Sequence, residues 1–216
     1  MKKHIFKGLI LIPVILVITL FAVTPALAAD LRSSSDTVII ASGDVIDDDL
    51  YLVASSIAIN GTVNGDVMSV GSTINITGKI NGSLIAIGST INIGGEITGS
   101  VRVAGSSVTV TGIIGGDLVT AVNDIDIQNS AFIGRDLVLA GREIDINAPI
   151  NEEITGWGGQ VTIADIVGGN VEIGVDELTI APTADIKGNL IYYSDEKATI
   201  ESGARIGGTT THEPAK

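Results

Sequence analysis

Residues 67–83, 84–100 and 101–117 read VMSVGSTINITGKINGS, LIAIGSTINIGGEITGS and VRVAGSSVTVTGIIGGD. Laid one beneath another, these 17-residue lines put Val67, Leu84 and Val101 in one apolar column and Ile74, Ile91 and Val108 in a second. Ile76, Ile93 and Val110 make a third column, and Ile80, Ile97 and Ile114 a fourth. Self-similarity at so short and constant a period marks a stacked architecture before any single residue is interpreted.

The register holds in both directions. The first column runs Leu50, Val67, Leu84, Val101, Leu118, Leu137, Ile154, Val171 and Leu190, at spacings of 17, 17, 17, 17, 19, 17, 17 and 19. The second extends from Ile57 to Ala198, the third from Ile59 to Ile200, and the fourth from Val63 to Ile206. Every position in them is Val, Ile or Leu except Ala198. Second and third columns lie two residues apart, with mostly polar residues such as Asn75, Asn92, Thr109 and Asp126 between them. That is the alternation of a strand with one face buried.

A unit this short cannot bury its apolar face alone. Stacked coil on coil, each strand pairs in parallel with its equivalents and the columns merge into one interior. The pattern predicts an all-β fold, a right-handed parallel β-helix (solenoid) of about nine 17–19-residue coils over residues 38–208, with a partial coil at Val38, Ile40 and Ile46. Left-handed β-helices use a hexapeptide period that neither 17 nor 19 fits, and the crossover rule favours the right hand. The extra residues fall between columns three and four, as in Gln128 to Phe132. Glycines at Asn64-Gly65, Asn81-Gly82, Thr98-Gly99 and Gly168-Gly169 are expected to supply positive φ at corners.

Composition agrees with a stacked core of medium side chains: Gly is abundant at 27 and aromatic residues are 3%. The chain has no Cys, which excludes disulfides, thiolate metal sites and a cysteine nucleophile. His4 and His212 fall in the leader and tail, so the folded region is expected to hold no imidazole. No catalytic, cofactor-binding or metal-binding residue is assigned, and no enzyme is expected.

Residues 1–28 read as a signal peptide: Lys2, Lys3 and Lys7, then the apolar Leu9 to Val23, then Ala26-Leu27-Ala28 as the cleavage pattern. The alternative is an uncleaved anchor. Residues 29–37 read as a polar linker and 209–216 as a polar tail. After cleavage nine Lys and Arg face 25 Asp and Glu, a net charge of −16. This argues against nucleic acid and anionic lipid as partners. The expected location is exported: periplasmic, cell-surface or on the extracellular face of the membrane. Membrane contact is expected only through the leader or a further C-terminal segment.

Several clusters offer chemistry. Asp47, Asp48 and Asp49, with Asp44, supply hard oxygens of the kind Ca²⁺ takes, or else cap the first coil. Ser55-Ser56, Ser72-Thr73, Ser89-Thr90 and Ser106-Ser107 form a hydroxyl ladder. It either presents a regular surface to glycan or ice, or bonds to itself and to corner backbone. Asp124, Asp126, Glu143 and Asp145 gather on adjacent coils without the long loops that would wall a cleft. Trp157 either stacks on a sugar ring or fills space among Gly156, Gly158 and Gly159.

Leu137-Val138-Leu139-Ala140-Gly141 and Gly203-Ala204-Arg205-Ile206-Gly207-Gly208 resemble the bactofilins over about residues 38–208. The resemblance implies a compact right-handed β-helix that forms nucleotide-free filaments or sheets as a scaffold. Typical bactofilins are cytoplasmic, and this chain begins with an export signal, which shifts the expected role to the cell envelope. No amphipathic capping helix is evident at either end, so Val38, Ile40, Ile46, Ile200 and Ile206 are the expected self-assembly residues. The expected partners are the chain itself, as a homopolymer, and cell-envelope components. The alternative function is a monomeric surface adhesin or glycan-binding stalk.

Overall fold

The computed structural model describes residues 29–215. The expected signal peptide lies outside the described residues. Within them every regular element is a strand, and every strand pairing is parallel. Strands from successive coils stack into a β-solenoid whose first face carries eleven of them, from Asp30–Ser33 to Thr210–Glu213. At roughly 4.8 Å per coil the rod is about 50 Å long.

Where the repeat is cleanest, a ten-residue strand such as Val67–Ile76 serves two faces and a two-residue strand such as Lys79–Ile80 serves the third. Val67, Ser69, Ile74 and Ile76 point inward, so the alternation changes phase around Gly71 and the strand bends there. Leu84–Ile93 and Val101–Val110 repeat this in register, with Val67 paired to Leu84 and Leu84 to Val101. From Leu50 to Leu190 every residue of the four apolar columns is 4% exposed or less, which makes them the core itself.

The helix is longer than its apolar pattern. Asp30–Ser33, expected as linker, pairs with Leu50–Val53, and Thr210–Glu213, expected as tail, pairs with Leu190–Tyr193. About eleven turns therefore stand where about nine coils were expected. Terminal strands bury their inward side chains against only one neighbour, so backbone pairing forms them without an apolar signature. His212 consequently sits in the last strand, and the folded region does contain an imidazole.

The longer corners close as turns in which the backbone amides of Ala131, Ala184 and Ala204 donate to the carbonyls of Gln128, Ala181 and Glu201 at 2.8, 3.0 and 3.1 Å. Positive φ occurs at Gly43 (92°) and Gly203 (112°), both in such corners, and at Gly156 (148°) within the strand Ile154–Ile163. The glycines expected to need it do not. A Cβ on Gly65 would stand 2.5 Å from the Asp48 carbonyl oxygen, and one on Gly99 2.6 Å from that of Gly82. Those sites are glycine because the coil below passes too close for a side chain.

A fifth inward column escaped the pattern. It runs Leu52, Ser69, Ala86, Val103, Thr120, Leu139, Gly156, Ile173 and Tyr192, and its side chains differ too much in size and polarity to read as a repeat.

Candidate functional site

At the N-terminal end, Asp30–Ser33, Thr37–Ile40 and Val45–Ile46 lie on Leu50–Val53, Ser56–Ile59 and Thr62–Val63. Asp30 and Arg32 take the places that Leu50 and Leu52 hold one coil above. The Arg32 guanidinium clasps the Asp30 carboxylate, with Nη2 2.7 Å and Nε 3.1 Å from Oδ2. That hydrogen bond holds the Asp30 carboxyl below the usual carboxylate range. Ion-paired side chains thus occupy the inward positions at the start of this face. Of the sequence-predicted residues here, Val38 and Ile40 are buried and Ile46 is half-buried against the core.

The C-terminal end is more open. It finishes on Thr199–Ile200, Arg205–Ile206 and Thr210–Glu213. Ile200 continues a column whose other members are fully buried, yet it is 44% exposed. Ile206 is half-buried and packs on the core beside Ala198. Asp185 accepts from Lys187 at 2.7 Å and is ion-paired with Arg205 of the last coil at 3.1 Å. The Lys187 hydrogen bond, helped by Arg205, lowers the Asp185 carboxyl from its ordinary value. At both ends, among the described residues, each face terminates in a strand with no neighbour on its outer side.

Sequence reasoning located five residues on the terminal coils and missed Asp30, Arg32, Thr210 and His212. The signal for these was spacing alone: Asp30 precedes Leu50 by 20 residues and Thr210 follows Leu190 by 20. Their polarity hid the continuation.

The other clusters are largely occupied with structure. The Asp44 carboxylate accepts the Ala41 amide, Asp48 the Asp49 amide, and Asp49 the Asp66 amide. Asp47 accepts from the Asn64 side chain at 2.6 Å. The Asp49 bond begins a corner ladder in which Asp66, Asp136, Asn170 and Asn189 likewise accept backbone amides from the next coil. These bonds tie coil to coil where no strand pairing does. Among the described residues no three His, Cys, Asp or Glu side chains gather to hold a metal ion.

Asp124 and Glu143 share the Arg142 guanidinium at 3.1 and 3.3 Å, on an open surface rather than in a cleft. In the hydroxyl ladder, Ser55 donates to the Ser35 carbonyl at 2.9 Å. Ser72, Ser89 and Ser106 are not bonded to one another, and their hydroxyls face solvent. Trp157 does not fill interior space; it is 73% exposed. No family model matches this chain, and neither the curated proteins nor the solved structures include a match to it.

Proposed function

We propose that this chain is an exported, bactofilin-like structural protein that assembles with itself end to end and serves as a cell-envelope scaffold. The observation that carries the reading is the C-terminal end, where Ile200 is 44% exposed at the head of a buried column and, among the described residues, each face stops on an unpartnered strand edge. Such an end offers backbone donors and acceptors together with apolar area, the combination from which strand-to-strand assembly grows. A second copy is the occupant that fits it, because the other end of this solenoid likewise presents three short strands, one to each face. The reading assigns no catalytic residue, no cofactor and no nucleic-acid partner; a net charge of −13 disfavours contact with phosphate backbones.

Negative-stain electron microscopy of the purified chain, across salt and protein concentration, tests this. Filaments, sheets or end-joined rods are expected for the natural sequence, and isolated rods about 50 Å long for Ile200→Asp. Isolated rods for the natural sequence at every concentration would overturn the proposal. Circular dichroism must show the variant folded.

A further inference from the structure

A shallow groove runs along the outside of the helix where the strands bend. Gly71, Gly88, Gly105 and Gly141 lie at the bend itself. One rim is the outward column Val53, Val70, Ile87, Ala104, Ala121 and Ala140, paired coil to coil, and the other is the solvent-facing hydroxyl ladder of Ser55, Ser72, Ser89 and Ser106. None of these side chains is charged, in a chain that carries 25 Asp and Glu. The apolar rim continues into Trp157, paired next above Ala140.

The indole is exposed and lies against the backbone of the next coil. A Cβ on Gly174, one coil above, would stand 2.6 Å from its Cδ1 and Nε1, so the ring has room only because that residue is glycine. Below it, Ala121 and Ala140 leave an open shelf bordered by Asn123, Arg142 and Asp176. Arg142 is steadied by Asp124 and Glu143, and the Asn123 side chain makes no hydrogen bond among the described residues.

We propose that this groove binds an uncharged, extended glycan chain, with Trp157 stacking on a sugar ring and Asn123, Arg142 and Asp176 bonding its hydroxyls. Aromatic rings pair an apolar face with a wet rim, which suits the C–H face and hydroxyl edge of a pyranose. The rims offer the same division along their length, about 29 Å for the six coil steps from Val53 to Trp157. Asp124, Glu143 and Asp176 repel an anionic chain. A peptide in strand conformation fits poorly, because it docks by pairing with a free strand edge. Strands cross this groove, and their edges are already paired coil to coil. The inference does not depend on self-assembly.

Trp157 is the only tryptophan, so its emission reports the site directly. The full chain would be titrated with β-linked hexamers of glucose, N-acetylglucosamine and mannose, and with a hexamer of galacturonic acid. A saturable change in emission with at least one neutral hexamer, and none with the acidic one, is expected. By calorimetry, Trp157→Ala and Ala121→Glu should each weaken that binding at least tenfold while circular dichroism stays unchanged. Ala121 is exposed, so its variant remains informative if Trp157→Ala fails to fold. Silence from all three neutral hexamers, preference for the acidic one, or undiminished binding by the variants would each overturn the proposal. So would an emission shift that follows protein concentration without sugar, which would show the groove covered by another copy.

Discussion

The His212 ring lies flat on Tyr192, with ring centroids 4.6 Å apart and planes within 6° of parallel. The two occupy equivalent places on successive coils, so the stack extends an inward column past the last apolar residue. His212 Nε2 lies 2.9 Å from the Ser194 carbonyl oxygen. A carbonyl only accepts, so Nε2 carries the proton. The ring is a clasp that holds Thr210–Glu213 on the rod.

His212→Ala removes that clasp. Stacked rings contribute about 0.5–1.5 kcal/mol beyond buried area, and this one is partly wet, so the lower half of the range applies. Hydrogen exchange at Thr211 and Glu213, whose amides face the coil below, should quicken roughly two- to fivefold, while amides at Ile91 and Ile93 stay unchanged. Equal loss of protection in both places would show that the rod opens as one unit rather than from its end.

How the sequence conveyed this structure follows from where side chains meet two neighbours and where they meet one. Ile91 is squeezed between Ile74 and Val108, so any departure from an apolar residue is costly and the repeat is readable. Asp30 and Thr210 have a neighbour on one side only, and the alphabet relaxes there, which is why both boundaries fell short. Gly65 and Gly99 show a different gap: their abundance was plain, but whether φ or close approach demands them depends on the path of the coil below. Candidate sites were the least legible. Trp157 could be singled out by composition, whereas the shelf below it depends on residues as far apart in sequence as Asn123 and Asp176 meeting across coils.

Acid should loosen the ends first. Asp30 and Asp185 are both held below the ordinary value of 3.8, by Arg32 and chiefly by Lys187 respectively. A carboxyl with a lowered folded pKa contributes stability that is present above its ordinary value and lost as pH falls through the lowered one. Both pairs are solvent-exposed enough that salt weakens them, so the effect is local. Protection factors at Asp30, Arg32 and Gly207, whose amides face the neighbouring coil, should fall between pH 6 and pH 3 relative to those at Ile91. Asp30→Asn should abolish the pH dependence at the N-terminal end alone, and 1 M salt should blunt it at both.

Gly99→Ala tests the close approach of coils. The new methyl would meet the Gly82 carbonyl oxygen and the Ser83 hydroxyl, both 2.6 Å away; the hydroxyl can turn aside, but the backbone carbonyl cannot. Overpacking of this kind costs about 1–3 kcal/mol, and a lowered thermal midpoint is expected. Gly43 has nothing within 4 Å of its would-be Cβ, so Gly43→Ala meets only the penalty of its φ of 92°, about 1–2 kcal/mol. Restoring the Gly43 loss with Asn, which tolerates that region, and failing to restore the Gly99 loss with Asn would separate the two causes.

The interior holds two hydroxyls that gain nothing from being there. Ser69 Oγ and Thr120 Oγ1 are buried without a hydrogen-bond partner, in the fifth column between apolar neighbours. Thr120 is paired between Val103 and Leu139, so a valine of the same shape would keep the packing and remove an unsatisfied donor. A stranded buried hydroxyl costs about 1–3 kcal/mol of desolvation. Thr120→Val is therefore expected to stabilise the rod by about 1–2 kcal/mol, read as a raised denaturation midpoint with unchanged circular dichroism. Ser69→Ala should gain less, because alanine leaves the oxygen's volume empty. A destabilised Thr120→Val would mean that the hydroxyl has a partner when the protein is in water.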